Sequence, residues 1–184
     1  MIYSLSLYTV GLVVGLLLIV SHAVALIHSK GTQRLLALFP RSKVFGGLLL
    51  TIAAIWAFLM IANIDLGEFT AWRRVILGVI VAAYFLTLRY VGEFLSVRAL
   101  GMLFLLAAEP LLEAAFLRPE ISRLLLTVLA YAWATAGLFW VGMPYILRDQ
   151  IAWVSKNKLR WSLAALGGIV YGIVVVVCAV TQWS

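Results

Sequence analysis

Runs of about 20 mostly apolar residues recur along the whole chain, and this repetition constrains the fold more than any other feature. "LYTVGLVVGLLLIVSHAVALI" at residues 7–27 and "GIVYGIVVVVCAVTQW" at 168–183 mark its two ends. With 65% hydrophobic and 11% charged residues, the chain departs far from the roughly one-quarter charged content of a water-soluble domain. A backbone in hydrocarbon must satisfy its own N–H and C=O groups, which leaves helices or a closed barrel. Transmembrane β-strands are about 10 residues long and alternate in polarity. The runs here are twice that length and continuous, so the expected class is all-α: a polytopic bundle of six transmembrane helices forming a single integral membrane domain over residues 1–184.

The expected spans cover about 5–27, 45–64, 74–91, 98–117, 122–146 and 162–182. The third is the shortest, and one long bent helix running through Arg89, Gly92 and Glu93 competes with two spans joined by a tight turn. The first run lacks a basic leader and exceeds a secretory core in length, so it reads as a retained span.

Basic residues set the orientation. Lys30, Arg34, Arg41 and Lys43 fall between spans one and two, Arg89 and Arg98 between three and four, and Arg148, Lys156, Lys158 and Arg160 between five and six. Arg73, Arg74, Arg118 and Arg123 fall on the opposite side. The positive-inside rule then makes loops 1–2, 3–4 and 5–6 cytoplasmic and places both termini on the non-cytoplasmic side of a bacterial-type inner membrane. The formal net charge of +7 is thereby accounted for beside the bilayer, and no basic run suits nucleic acid. Tyr3, Trp72 and Trp183 are expected as anchors at the outer interface, and Tyr90, Tyr145, Trp153 and Trp161 at the inner one. "LRDQIAWVSKNKLRW" mixes apolar and basic residues as a surface helix does, and "QRLLALFP" reads as a second, shorter surface turn ended by Pro40.

Within the spans, two carboxylates stand out. "LFLLAAEPLLEAAFL", residues 103–117, sets Glu109 and Glu113 on one helical face at i, i+4 spacing, with Pro110 between them removing a backbone donor. The nine Leu and Phe residues from Leu100 to Leu117 favour insertion by roughly 3 to 5 kcal/mol, while two ionised acids cost about 5 to 7 kcal/mol. The span therefore needs partners, protonation or a wet cavity. Ion pairing to the nearby arginines would satisfy Glu113, whereas Glu109 lies deeper. Both are ion- or proton-site candidates, with Glu93 and His22 behind them.

Arg89, Arg98, Arg148, Lys156, Lys158 and Arg160 are candidates for lipid headgroups or phosphate, against the plainer reading of a salt-bridged turn around Glu93 and Asp149. Gly11 with Gly15, and Gly168 with Gly172, form GxxxG patterns suited to close helix packing, within the chain or in self-association. The six-residue spacing of His22 and His28 puts them on different faces of a helix, so no zinc pair is expected; haem through His22 or His28 is a remote alternative, and no other cofactor is expected. Cys178 is the only cysteine. No GxSxG, HExxH or Walker motif is present, so no catalytic residue is assigned.

Three functional readings result. The first is a non-enzymatic subunit or scaffold of a membrane complex, partnered by the lipid bilayer and by another membrane protein or a homo-oligomer. The second is a proton- or cation-coupled transporter or channel component using Glu109 and Glu113. The third is a membrane enzyme acting on a lipid or a redox cofactor at the basic surface.

Overall fold

The computed structural model describes residues 5–183, all of its regular structure being helical; Tyr3 lies outside them. The six spans are α1 (Leu7–Ile27), α3 (Lys43–Asn63), α4 (Arg73–Tyr90), α5 (Leu95–Ala115), α6 (Leu124–Gly142) and α8 (Lys158–Gln182). Two short helices complete the set: α2 (Ser29–Leu38) and α7 (Tyr145–Ser155).

Local chemistry explains where the helices start and stop. The hydroxyls of Ser6 and Ser42 accept from the Thr9 and Phe45 N–H groups at the starts of α1 and α3, and the Asn157 side chain accepts from Leu159 N–H at the start of α8. Pro40 sits in a single 3-10 turn after α2. Pro144 separates α6 from α7, where its missing N–H helps end a continuous helix. The link between spans three and four is a true break: Phe94 adopts a left-handed conformation (φ 54°), which a bulky side chain rarely does, and α5 starts immediately after it. Leu117 (φ 53°) similarly follows the end of α5. The long bent helix is thus excluded.

Successive spans reverse direction, so the links 28–42, 91–94 and 143–157 gather at one end of the bundle, where α2 packs against α7. This is the long-loop end; the other is the terminal end. Two helix pairs pack most intimately, α1 with α8 and α5 with α6, while α3 packs on α5 and carries α4 at the edge. Val10, Val14 and Leu18 of α1, Ala108 and Leu111 of α5, Leu126 and Ala130 of α6, and Val175 and Ala179 of α8 form the central core.

Glycine permits both intimate pairs. A Cβ at Gly172 would meet the Gly15 carbonyl oxygen at 2.8 Å, and one at Gly15 would meet the Gly172 oxygen at 3.0 Å. Gly11 faces the ring of Trp183, and Gly168 faces the imidazole of His22. All four GxxxG glycines therefore lie in the α1–α8 contact. Gly101 and Gly137 repeat the arrangement between α5 and α6: each added Cβ would meet the other's oxygen, at 2.8 and 2.7 Å.

Hydrogen bonds lock the ends. At the terminal end, Trp183 Nε1 donates to Ser122 Oγ (2.8 Å), which donates to Gln182 (2.5 Å). Trp161 Nε1 donates to the Ala25 carbonyl at the long-loop end (3.0 Å). These two indoles are buried between helices rather than set at a lipid interface as expected, because each N–H finds a partner within the protein. Trp72, Tyr90, Tyr145 and Trp153 are exposed.

Gly172→Ala and Gly137→Ala should each cost about 1–3 kcal/mol, since the added methyl meets a carbonyl that cannot yield without separating the helices. Gly78→Ala, with open space around it, should cost nothing or stabilise slightly through helix propensity. Unfolding of the three variants in detergent micelles checks this; equal losses at all three positions would refute the packing assignment.

Candidate functional site: an acidic cleft beside α5

The packing of α3 determines where polar groups can gather. Its buried residues, Gly46, Leu50 and Ala53, all lie in its first half. A Cβ at Gly46 would come within 2.9 Å of the Ser96 nitrogen, and Ser96, itself fully buried, donates its hydroxyl to the Phe39 carbonyl (2.6 Å). α3 and α5 are therefore clamped at the long-loop end. Toward the terminal end α3 buries no residue, and a cleft of about 870 Å³ opens between the end of α3, α5 and α6.

Asn63 and Asp65 line this cleft from the α3 side, and Glu109 and Glu113 from α5; Leu105, Leu112 and Ala134 supply apolar wall. The i, i+4 spacing stacks the two glutamates on one face, and α5 continues through Pro110 without ending. The two carboxyl groups lie close enough to repel each other when both are ionised. Ionising both at once is costly, as in other close carboxyl pairs. The second oxygen of Glu109, Oε2, is shielded and has no hydrogen-bond partner.

Two of the four arginines expected opposite these acids donate to backbone carbonyls. Arg73 Nη2 donates to the Ile64 carbonyl (2.6 Å), just beyond the end of α3, and Arg123 Nη1 donates to Ala115 (3.0 Å), the last residue of α5. Both cations thus satisfy carbonyls at helix C-termini, where the backbone has acceptors to spare and the dipole favours positive charge. An arginine–carboxylate lattice joining the two terminal-end loops is replaced at these two positions by arginine–backbone bonds.

The other sequence candidates lie elsewhere. His22 is half-buried on α1, its Nδ1 paired with the Leu18 carbonyl (2.8 Å) and its ring against Gly168 of α8. His28 is exposed at the junction of α1 and α2. Glu93 is exposed at the long-loop end, one residue before Phe94. Arg89 is exposed in the last turn of α4, and Arg98 Nη1 donates to Val141 at the end of α6 (2.8 Å). Arg148 pairs with Asp149 (2.8 Å) and lies over the Phe94 ring at 6.0 Å. Lys156 and Lys158 are exposed at the α7–α8 corner, and Arg160 stacks over Trp153 at 4.4 Å.

Asn63 and Asp65 were not foreseen as site residues. "NID" directly after the second apolar run was the available signal, since it places an amide and a carboxylate at the same membrane level as the end of α5. Among the described residues, no three His, Cys, Asp or Glu side chains converge closely enough to hold a metal ion. No protein-family model matches the sequence, and neither a curated protein nor a solved structure matches it.

Glu109→Leu should raise stability by about 1–3 kcal/mol, because an apolar side chain removes both the unpartnered oxygen and the repulsion from Glu113. Unfolding in micelles at neutral pH measures it. A destabilised Glu109→Leu protein would mean that Glu109 holds the fold together.

Proposed function

We propose that this integral membrane protein is a non-enzymatic component of a membrane transport complex in which the Glu109–Glu113 pair takes up and releases a proton. The carrying observation is that pair, two neighbouring carboxyl groups lining a large cleft between spans. Ionisable groups inside a membrane are expensive and are retained where they serve a pathway or relay. A pair sharing one proton changes charge by gaining or losing a single particle, with no rearrangement of metal ligands.

The cleft also supports the role of a subunit rather than a complete carrier. Leu105 belongs both to its wall and to an adjoining cleft of about 340 Å³, where α3, α4 and α5 meet. That second cleft is lined by Leu50, Met102 and Leu106 among other apolar groups, with Tyr84 and Thr87 the hydroxyl-bearing exceptions. A proton at Glu109 thus faces the terminal end, with an apolar barrier toward the long-loop end. Under the positive-inside orientation the acids open toward the non-cytoplasmic face. Passage across the remaining half would then be supplied by a partner seated along α3–α5.

A carbodiimide that attacks protonated carboxyl groups from the apolar phase tests this. In the full chain reconstituted in lipid, dicyclohexylcarbodiimide should modify Glu109 or Glu113, with the adduct located by mass spectrometry, and the rate should fall as the pair loses its proton at high pH. Glu109→Gln with Glu113→Gln should abolish the adduct while insertion is retained. Absence of modification at both glutamates across the pH range would remove the protonated pair and the function built on it.

A further inference from the structure

The long-loop end carries the strongest unassigned surface. Ten of the fourteen Lys and Arg residues lie there, against two acids, Glu93 and Asp149, and Asp149 is already paired with Arg148. α2 and α7 have 10 and 11 residues, giving lengths of about 15 and 16 Å, half the hydrocarbon thickness of a bilayer. Neither contains a buried residue, and they pack against each other. Together they form a platform across the end of the bundle rather than further spans.

The platform mixes two kinds of exposed group. Leu35 and Leu38 of α2 are 52% and 65% exposed, and Trp153 of α7 is 59% exposed, so apolar side chains lie uncovered at the end of the bundle as well as along its flanks. Lys30 and Arg34 of α2 are exposed beside them, as are Lys156 and Lys158 just beyond α7. A soluble anion would neutralise the cations and leave the leucines and the indole in water. A neutral lipid would cover the apolar groups and leave the cations without counter-charge.

We propose that the α2–α7 platform binds the headgroups of anionic phospholipids, with Lys30, Arg34, Lys156 and Lys158 engaging phosphate while Leu35, Leu38 and Trp153 enter the adjoining acyl region. An amphiphilic anion is the one chemistry that satisfies both sets of groups at once. The stack of Arg160 on Trp153 fixes the indole beside the α7–α8 corner, so that the apolar and cationic contacts fall on one lipid shell. This assignment is independent of the Glu109–Glu113 cleft, which lies at the opposite end.

The test uses the full chain in phosphatidylcholine bilayers with spin-labelled phosphatidylglycerol or spin-labelled phosphatidylcholine as the probe. The wild type should hold phosphatidylglycerol in its motionally restricted shell with a preference of about fivefold for each cation engaged. That preference should collapse toward unity in molar salt, where screening acts within about 3 Å. Combined Lys30→Gln, Arg34→Gln, Lys156→Gln and Lys158→Gln should remove most of it at low salt. An equal distribution of the two lipids around the wild type would overturn the proposal, as would a preference that survives high salt. Displacement of the labelled lipid by inorganic phosphate, at an ionic strength where chloride does not displace it, would assign the cations to a soluble anion instead, and displacement by a short RNA under the same condition would assign them to nucleic acid. The salt arm needs only the wild type, so the outcome does not depend on the variant folding.

Discussion

Close approach of helix backbones at two glycine pairs is the contact on which the rest of the bundle depends. Lipid tails are as apolar as leucine, so burial of side chains drives helix association in a membrane far less than in water, and close van der Waals contact has to hold the spans together. Gly15 with Gly172 draws α1 onto α8, and Gly101 with Gly137 draws α5 onto α6. The first pair joins the spans that come first and last in the chain, and Leu7, Val10, Leu111, Leu126 and Val175 fill the space where the two pairs meet. α3 has one comparable contact, Gly46 against the start of α5, and this falls at only one end. A helix fastened at one end stands clear at the other. The acidic cleft follows from where that single glycine lies.

Much of this arrangement was legible in the sequence. The expected second span, 45–64, differs from α3 by two residues at its start and one at its end, while the basic surface segment divides between α7 and the first turn of α8. Span ends are read well because chain chemistry sets them locally: Ser42, Pro144 and Asn157 act within a turn or two of their own positions. The sequence allows two readings of the turn at Phe94. No glycine or proline marks that residue, yet it adopts the left-handed backbone.

Partnerships across the bundle were less legible. GxxxG identified Gly11, Gly15, Gly168 and Gly172 as close-contact positions without saying whether the contact lay within the chain. Gly101 and Gly137 carry no such pattern, since each works alone on its own helix, and only the crossing of α5 and α6 reveals them. Trp161 and Trp183 have the position of interfacial anchors in sequence and the environment of core residues in the fold. The arginines near Glu113 were expected on carboxylates because sequence shows charges and hides unsatisfied carbonyls. Ile64 and Ala115 offer acceptors at helix ends, and Arg73 and Arg123 donate to them.

The distribution of polarity among the spans follows from their burial. α5 carries both intramembrane glutamates and buries more residues than any other span, packing against α1, α3 and α6. α4 buries none and carries no acid. A carboxyl group on α4 would face hydrocarbon directly, where nothing could share its proton. On α5 the same group meets a second carboxyl one turn away and the polar tail of α3 across the cleft. The insertion deficit that makes this span marginal in isolation is therefore met in the folded bundle by surrounding it with neighbours on three sides. The fourth direction stays open as the cleft, so the two glutamates share it with Asn63 and Asp65 rather than with a packed helix face.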